Sequence, residues 1–137
     1  DHAPHSIEEK AETYPASPSG MPGVQTIFPL MLHHMLEGRL SFERLVDLTS
    51  FAARRIFKLK DRGMVRPGFK ADFTLCDLKG EHLIANDWLK SKCGWSPFEG
   101  MTLRGRVKGT IISGQKIMWQ DEIIGQPQGK PILFDQG

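Results

Sequence analysis

From Gly23 the apolar positions fall into a helical rhythm. Val24, Ile27, Phe28, Met31 and Met35 stand at i, i+3, i+4, i+7 and i+11, the spacing of one buried helix stripe. Leu30, Leu32 and Leu36 widen the stripe, as in a helix covered on two sides. Pro29 either kinks this helix or lies in its first turns, because proline has no amide to give an interior turn. Gly38 ends it. Ser41 is placed to cap a second helix through about Leu48, with Leu40 and Leu45 as a hydrophobic staple. A short third helix follows Thr49-Ser50, and its Phe51, Ala52, Ile56 and Phe57 read as core. Asp61-Arg62-Gly63 and Pro67-Gly68 are turn chemistry, and beyond them the pattern becomes that of strands. Phe73-Thr74-Leu75-Cys76 is a short apolar strand, and His82-Leu83-Ile84 is a candidate for another. Val107 to Ser113 alternates, Gly114-Gln115 can turn it, and Lys116 to Trp119 can return as a hairpin. Glu122-Ile123-Ile124 extends that strand after a break. The tail from Gly125 is rich in glycine and proline and reads as irregular, with Pro131 to Phe134 packed on a surface. Residues 6–22 are polar, carry Ser and Pro, and show no period. Such a long loop is expected to be functional or disordered.

Composition narrows the class. In 137 residues, 39% apolar and 25% charged, there is material for one globular domain, or one and a part. A net charge of +2 argues for neither nucleic acid nor a membrane surface as a partner. The densest basic spot, Arg54-Arg55 with Lys58 and Lys60, reads as a solvated helix end. Cys76 and Cys93 have no metal-ligand spacing and form no disulfide framework, so a reduced chain is the simplest account. Cys76, within an apolar run, reads as a small buried filler. No apolar stretch approaches the ~20 residues of a membrane span, and no signal peptide is visible. A cytoplasmic enzyme is the default expectation.

The candidate chemistry is concentrated in Asp1-His2-Ala3-Pro4-His5. One carboxylate and two imidazoles in a short segment suit a metal-assisted hydrolase. The bland alternative is a polar terminal segment carrying two histidines by chance. Pro4 disfavours the α region for the residue before it, so Asp1 and His5 are not an i, i+4 pair on a helix. They are expected where a strand ends and a functional loop begins. Ser19-Gly20 offers backbone donors that no bulky side chain screens, and Gly20 can approach a ligand closely or take φ > 0. His33 and His34 read as helix-surface residues.

Asp1-His2-Ala3-Pro4-His5, then Glu8-Glu9-Lys10, Ser17-Pro18-Ser19-Gly20 and Met21-Pro22-Gly23-Val24-Gln25-Thr26 resemble the dihydroorotases of the cyclic amidohydrolase superfamily. Arg55-Ile56-Phe57, Gly63-Met64-Val65 and Gly68-Phe69-Lys70-Ala71-Asp72 are similar to the superfamily's passage out of its barrel. Ser96-Pro97-Phe98-Glu99-Gly100, Gly105-Arg106-Val107 and Ile112-Ser113-Gly114 are similar to its closing strands. The resemblance runs nearly end to end, with one departure: the His-x-His pair, bridging lysine and further histidines that members carry upstream are not here. The chain therefore reads as the C-terminal third of such an enzyme, since a complete (β/α)₈ barrel takes about 250 residues. The fold class implied is α/β, with residues 1–64 as the end of the (β/α)₈ barrel and 65–137 as part of a small β-sandwich domain and tail. The resemblance makes Asp1 the end of the eighth strand, a zinc ligand and the catalytic acid–base group. It makes His5 and the backbone of Ser19 and Gly20 the substrate contacts, and leaves His2 a structural hydrogen bond. The implied cofactor is zinc, two ions in the complete enzyme. The implied partners are the missing N-terminal part of the enzyme and dihydroorotate, with a homo-oligomer left open. Two rivals stand beside this reading: an allantoinase or hydantoinase relative, and a dihydroorotase-like subunit without catalysis.

Overall fold

The computed structural model describes residues 1–126 and 129–135. Its first element is one the apolar rhythm does not announce. Helix α1, Ile7–Ala11, opens the segment that reads as loop. It is nucleated by a capping box: Ser6 Oγ accepts the Glu9 N–H at 3.2 Å, and Glu9 Oε2 accepts the Ser6 N–H at 2.7 Å. Two of the orphan donors at a helix start are thereby satisfied. None of its residues is buried, so it leaves no trace in the hydrophobic pattern.

Helix α2, Ile27–Leu36, carries Pro29 in its first turn and buries Pro29 and Leu32. Gly38 follows at φ +75°. Helix α3, Phe42–Val46, has Ser41 as its cap, with Oγ accepting the Arg44 N–H at 3.1 Å. It does not stop at Thr49-Ser50. A π-helical turn, Asp47–Phe51, carries it directly into α4, Ala52–Phe57. Thr49 Oγ1 donates to the Leu45 carbonyl at 2.8 Å, keeping that oxygen satisfied where the helix widens. The expected core of this run is corrected in one respect. Ala52 is buried, but Phe51, Ile56 and Phe57 are 38%, 67% and 62% exposed, because no layer of described residues lies over that side.

The strands form one antiparallel sheet in the order β1-β2-β3-β4. Strand β1, Phe73–Leu83, is a single element where two short strands were expected. Its register against β2, Thr102–Ile112, shifts between Asp77 and Glu81. There Asp77 Oδ1 accepts the N–H groups of Lys79 and Gly80 at 3.0 and 3.1 Å. The side chain takes over donors that the ladder leaves free. Strand β3, Gln115–Trp119, and β4, Glu122–Ile123, complete the sheet. Both hairpin turns hold two residues at positive φ, Ser113-Gly114 and Gln120-Asp121, the backbone twist that tight hairpins favour. The tail returns to the helices through a bridge between Leu59 and Phe134. Ile132, Leu133 and Phe134 remain exposed beside it. Of the irregular tail expected from Gly125, residues 127–128 and 136–137 lie outside the described residues.

Helix α2 and β2 hold the molecule together. Leu32, Leu45, Ile84 and Leu103 are its most buried large side chains. Gly105, at φ +81°, sits beneath α2, and a Cβ there would lie 2.8 Å from Leu36 Cδ1 and 2.9 Å from Leu32 Cγ. Only glycine lets helix and strand approach this closely. His33 is engaged in the same seam, its Nδ1 accepting the Arg104 N–H at 3.0 Å. Cys76 is half-buried, and burial pushes its thiol up.

Candidate active site

The segment 1–5 has no helix or strand, turns back on itself at Pro4 through the His5 N–H to Ala3 carbonyl bond, and meets the loop that follows α1. The Ala3 N–H donates to the Met21 carbonyl at 2.9 Å. Gly20 lies against Ala3 so tightly, at φ +98°, that a Cβ would fall 2.5 Å from the Ala3 Cβ. Gly23 packs on the Asp1 carbonyl, 2.9 Å from where its Cβ would be. The Asp1–His5 segment and the loop from Gly20 to Gly23 thus lie against one another, joined through Ala3 and the Asp1 carbonyl.

Each candidate residue has a defined setting. Asp1 is exposed, and its Oδ1 accepts the His2 N–H at 2.8 Å. His2 Nδ1 accepts the N–H groups of Gly23 and Val24 at 3.1 and 3.4 Å. This imidazole ties the segment to the turn before α2, and acceptance at Nδ1 puts the ring proton on Nε2. His2 therefore has the structural hydrogen bond expected of it. His5 is held through its backbone: its carbonyl accepts the Trp95 Nε1–H at 2.7 Å, and its N–H donates to Ala3 at 3.0 Å. Its side chain stays about a third exposed, with Nδ1 3.6 Å from Glu9 Oε2.

Two residues that carry no role in the sequence motifs contribute, Lys10 and Gln25. Lys10 Nζ donates to the carbonyls of Pro18 and Gly20 at 2.6 and 3.2 Å. The Ser17 hydroxyl donates to the Lys10 carbonyl at 3.1 Å. Gln25 bridges to the strand region, donating to the Trp88 carbonyl at 3.1 Å and accepting the Lys90 N–H at 2.8 Å. The Ser-x-x-Glu spacing at Ser6 and Glu9 was the available signal for α1, and Lys10 is its last-turn basic residue.

A second polar cluster lies between α2 and the sheet. Asp121 accepts from Trp88 Nε1 at 3.2 Å and from Arg106 Nη2. Burial raises the Asp121 carboxyl, but the Arg106 and Trp88 hydrogen bonds outweigh it and hold the group below its ordinary value. The His82 ring stands edge-on to Trp88 at 4.3 Å. Burial pushes its imidazole down, against the attraction of Asp121. A cavity of about 380 Å³ adjoins this cluster, lined by Phe28, Trp88, Ile117 and Met118 among others. Asp1, His5, Ser19 and Gly20 are not among its lining residues. Among the described residues, no three His, Cys, Asp or Glu side chains are grouped to hold a metal ion.

The profile of the amidohydrolase family matches residues 22–117. The chain is 39% identical over 133 residues to the dihydroorotase of Pyrococcus furiosus, covering 97% of this chain and 31% of that protein. It is 36% identical over 124 residues to the dihydroorotase of Methanothermobacter thermautotrophicus, covering 90% of this chain and 29% of that one. Among solved structures it resembles a D-hydantoinase (dihydropyrimidinase) from Thermus sp., with TM-score 0.85, 25% identity, and coverage of 92% and 29%. An L-hydantoinase from Arthrobacter aurescens gives TM-score 0.75 and 27% identity, with coverage of 81% and 25%. The chain spans about 30% of the length of the curated relatives it matches.

Proposed function

The chain belongs to the amidohydrolase family, and from that premise we propose that it is the C-terminal portion of a zinc-dependent dihydroorotase. The full-length enzyme would interconvert N-carbamoyl-L-aspartate and L-dihydroorotate in pyrimidine biosynthesis. On this reading residues 1–64 close a (β/α)₈ barrel with the remainder of the enzyme, and residues 65–137 complete a small β-sandwich domain and tail. The observation that carries it is the docking of the Ser19-Gly20 loop on the Asp1–His5 segment, fixed by the Ala3–Met21 hydrogen bond and the Gly20–Ala3 approach.

Asp1 suits a metal ligand. Its intrachain hydrogen bond uses only one carboxylate oxygen. The other ligands, and a second ion, would be held by residues outside this chain. Zinc, when bound, supplies polarisation of the ring amide carbonyl and lowers the pKa of water towards ~7. Asp1 accepts the proton of the attacking water as its oxygen bonds to the amide carbon. It then returns that proton to the ring nitrogen as the C–N bond breaks. One carboxylate serves as base and then as acid, and regains its charge each cycle. His5 donates to the carboxylate of dihydroorotate, and the Ser19 and Gly20 amides meet the substrate beside it.

Likeness to the hydantoinase structures favours a second reading, hydrolysis of a cyclic amide without that carboxylate. His5→Ala in the full-length enzyme separates the two. Loss of a charge-assisted hydrogen bond, about 1.5–3 kcal/mol, should lower kcat/KM for dihydroorotate roughly 10- to 150-fold. Dihydrouracil, which lacks the carboxylate, should be affected far less. Equal proportional losses would remove His5 from substrate recognition.

A further inference from the structure

We propose that Lys10 is a positioning residue for the substrate loop, setting the direction of the Ser19 amide; the inference rests on the dihydroorotase reading above. Lys10 lies in the last turn of a five-residue helix whose start is locked by the Ser6–Glu9 capping box. Its ammonium reaches across to the loop and binds two carbonyls, Pro18 at 2.6 Å and Gly20 at 3.2 Å. The Pro18–Ser19 peptide is trans, the one cis bond among the described residues being Tyr14–Pro15. In a planar trans peptide the C=O and N–H point in opposite directions. Binding the Pro18 oxygen therefore turns the Ser19 N–H away from Lys10. The Gly20 carbonyl, held by the same ammonium, fixes the peptide two bonds further on. Ala3 closes the loop from the other side, through its bond to Met21 and its packing on Gly20. Neither Ser19 nor Gly20 donates its N–H to a backbone acceptor among the described residues.

This arrangement differs from a surface ion pair. Lys10 binds carbonyl oxygens, has no carboxylate partner within salt-bridge distance among the described residues, and its shorter contact is partly buried. Its charge is placed where it organises backbone, and the backbone it organises is the candidate substrate contact. Lys10 touches neither substrate nor metal on this account. It acts through the loop.

Lys10→Met in the full-length enzyme keeps the length of the side chain and removes the donors. The KM for dihydroorotate should rise about 10-fold, the scale of one hydrogen bond to a charged group, while kcat changes less than about 3-fold. Lys10→Arg, which retains a cation and several donors, should recover most of the loss. KM for dihydrouracil should stay within about 2-fold, since that substrate presents no carboxylate to the Ser19 amide. A KM for dihydroorotate unchanged in Lys10→Met overturns the proposal. So does a parallel loss on both substrates accompanied by a lower melting temperature, which is what a merely structural lysine would give. If Lys10→Met fails to fold, Lys10→Gln is read on the same KM scale. Failure of the underlying reading is visible separately, as a wild-type enzyme that turns over hydantoin in preference to dihydroorotate. That result overturns the proposal together with its premise, whereas an unchanged dihydroorotate KM in Lys10→Met, in an enzyme that prefers dihydroorotate, overturns the positioning role alone.

Discussion

Asp1 and His5 have different demands placed on them, and their surroundings differ accordingly. On the proposed reading Asp1 exchanges a proton, and within this chain only one of its oxygens is engaged, by the neighbouring His2 amide. On the same reading His5 presents a donor in a fixed place, and its backbone is pinned by Trp95 while the ring stays about a third exposed. Asp1→Asn in the full-length enzyme should lower kcat by 10²–10⁴-fold, the usual contribution of a general acid–base group, with circular dichroism unchanged. A variant retaining more than about a tenth of wild-type kcat removes Asp1 from that role. At this scale the sequence was informative where chemistry depends on residue type. A carboxylate and two imidazoles in one five-residue segment mark it as a candidate by residue type alone. Lys10 did not, because its partners are backbone carbonyls eight and ten residues away, and a carbonyl carries no sequence signal. His2 was readable as structural, although its partners Gly23 and Val24 were not.

Among the elements, those with an apolar pattern were legible, and helix α1, which has none, was not. Helix α2 buries Leu32 against the sheet, and its apolar spacing marks it in the sequence. The β2–β3 hairpin is marked by alternation and by Gly114 in its turn. Helix α1 buries nothing and exists through its cap. Ser6→Ala should therefore weaken α1 by about 0.5–2 kcal/mol, the range for losing an N-cap. Faster amide exchange at Glu9 and Lys10, with global melting little changed, is the expected readout. The apolar runs Phe73–Cys76 and His82–Ile84 read as two strands, whereas the polar residues Asp77 to Gly80 between them hold only an irregularity of one strand that the Asp77 side chain stabilises. The Gly105 contact carries a further expectation. Gly105→Ala places a methyl within 2.8 Å of Leu36 at a backbone angle unfavourable to alanine. Overpacking of this kind destabilises by about 1–3 kcal/mol, and the melting temperature of the full-length protein should fall.

Across the whole molecule, the helices and the sheet are joined by α2, and the polar cluster of His82, Trp88, Arg106 and Asp121 lies at that junction. Burial lowers the His82 imidazole, so folding favours its neutral form. Its contribution to stability is complete above the unfolded-state value near ~6.5 and is lost as pH falls through the lower folded-state value. Melting temperature should decline as pH drops below about 6.5, and His82→Phe, which keeps a ring against Trp88, should flatten that part of the curve. An unchanged pH dependence in the variant would assign the decline to other groups. The exposed Phe51, Ile56 and Phe57 define the limit of what this chain covers by itself, and sequence rhythm could not reveal it, since periodicity marks apolar positions without showing what lies over them. The chain spans about 30% of the length of its curated relatives, so the proposed activity is assigned to the full-length enzyme and not to this chain alone. The most direct measurement is kcat/KM of that protein, supplied with zinc, for dihydroorotate, hydantoin and allantoin side by side. The account predicts dihydroorotate as the best substrate by at least about 10-fold, the worth of one hydrogen bond to its carboxylate. Faster turnover of hydantoin or allantoin, or no turnover of any of the three, would contradict it.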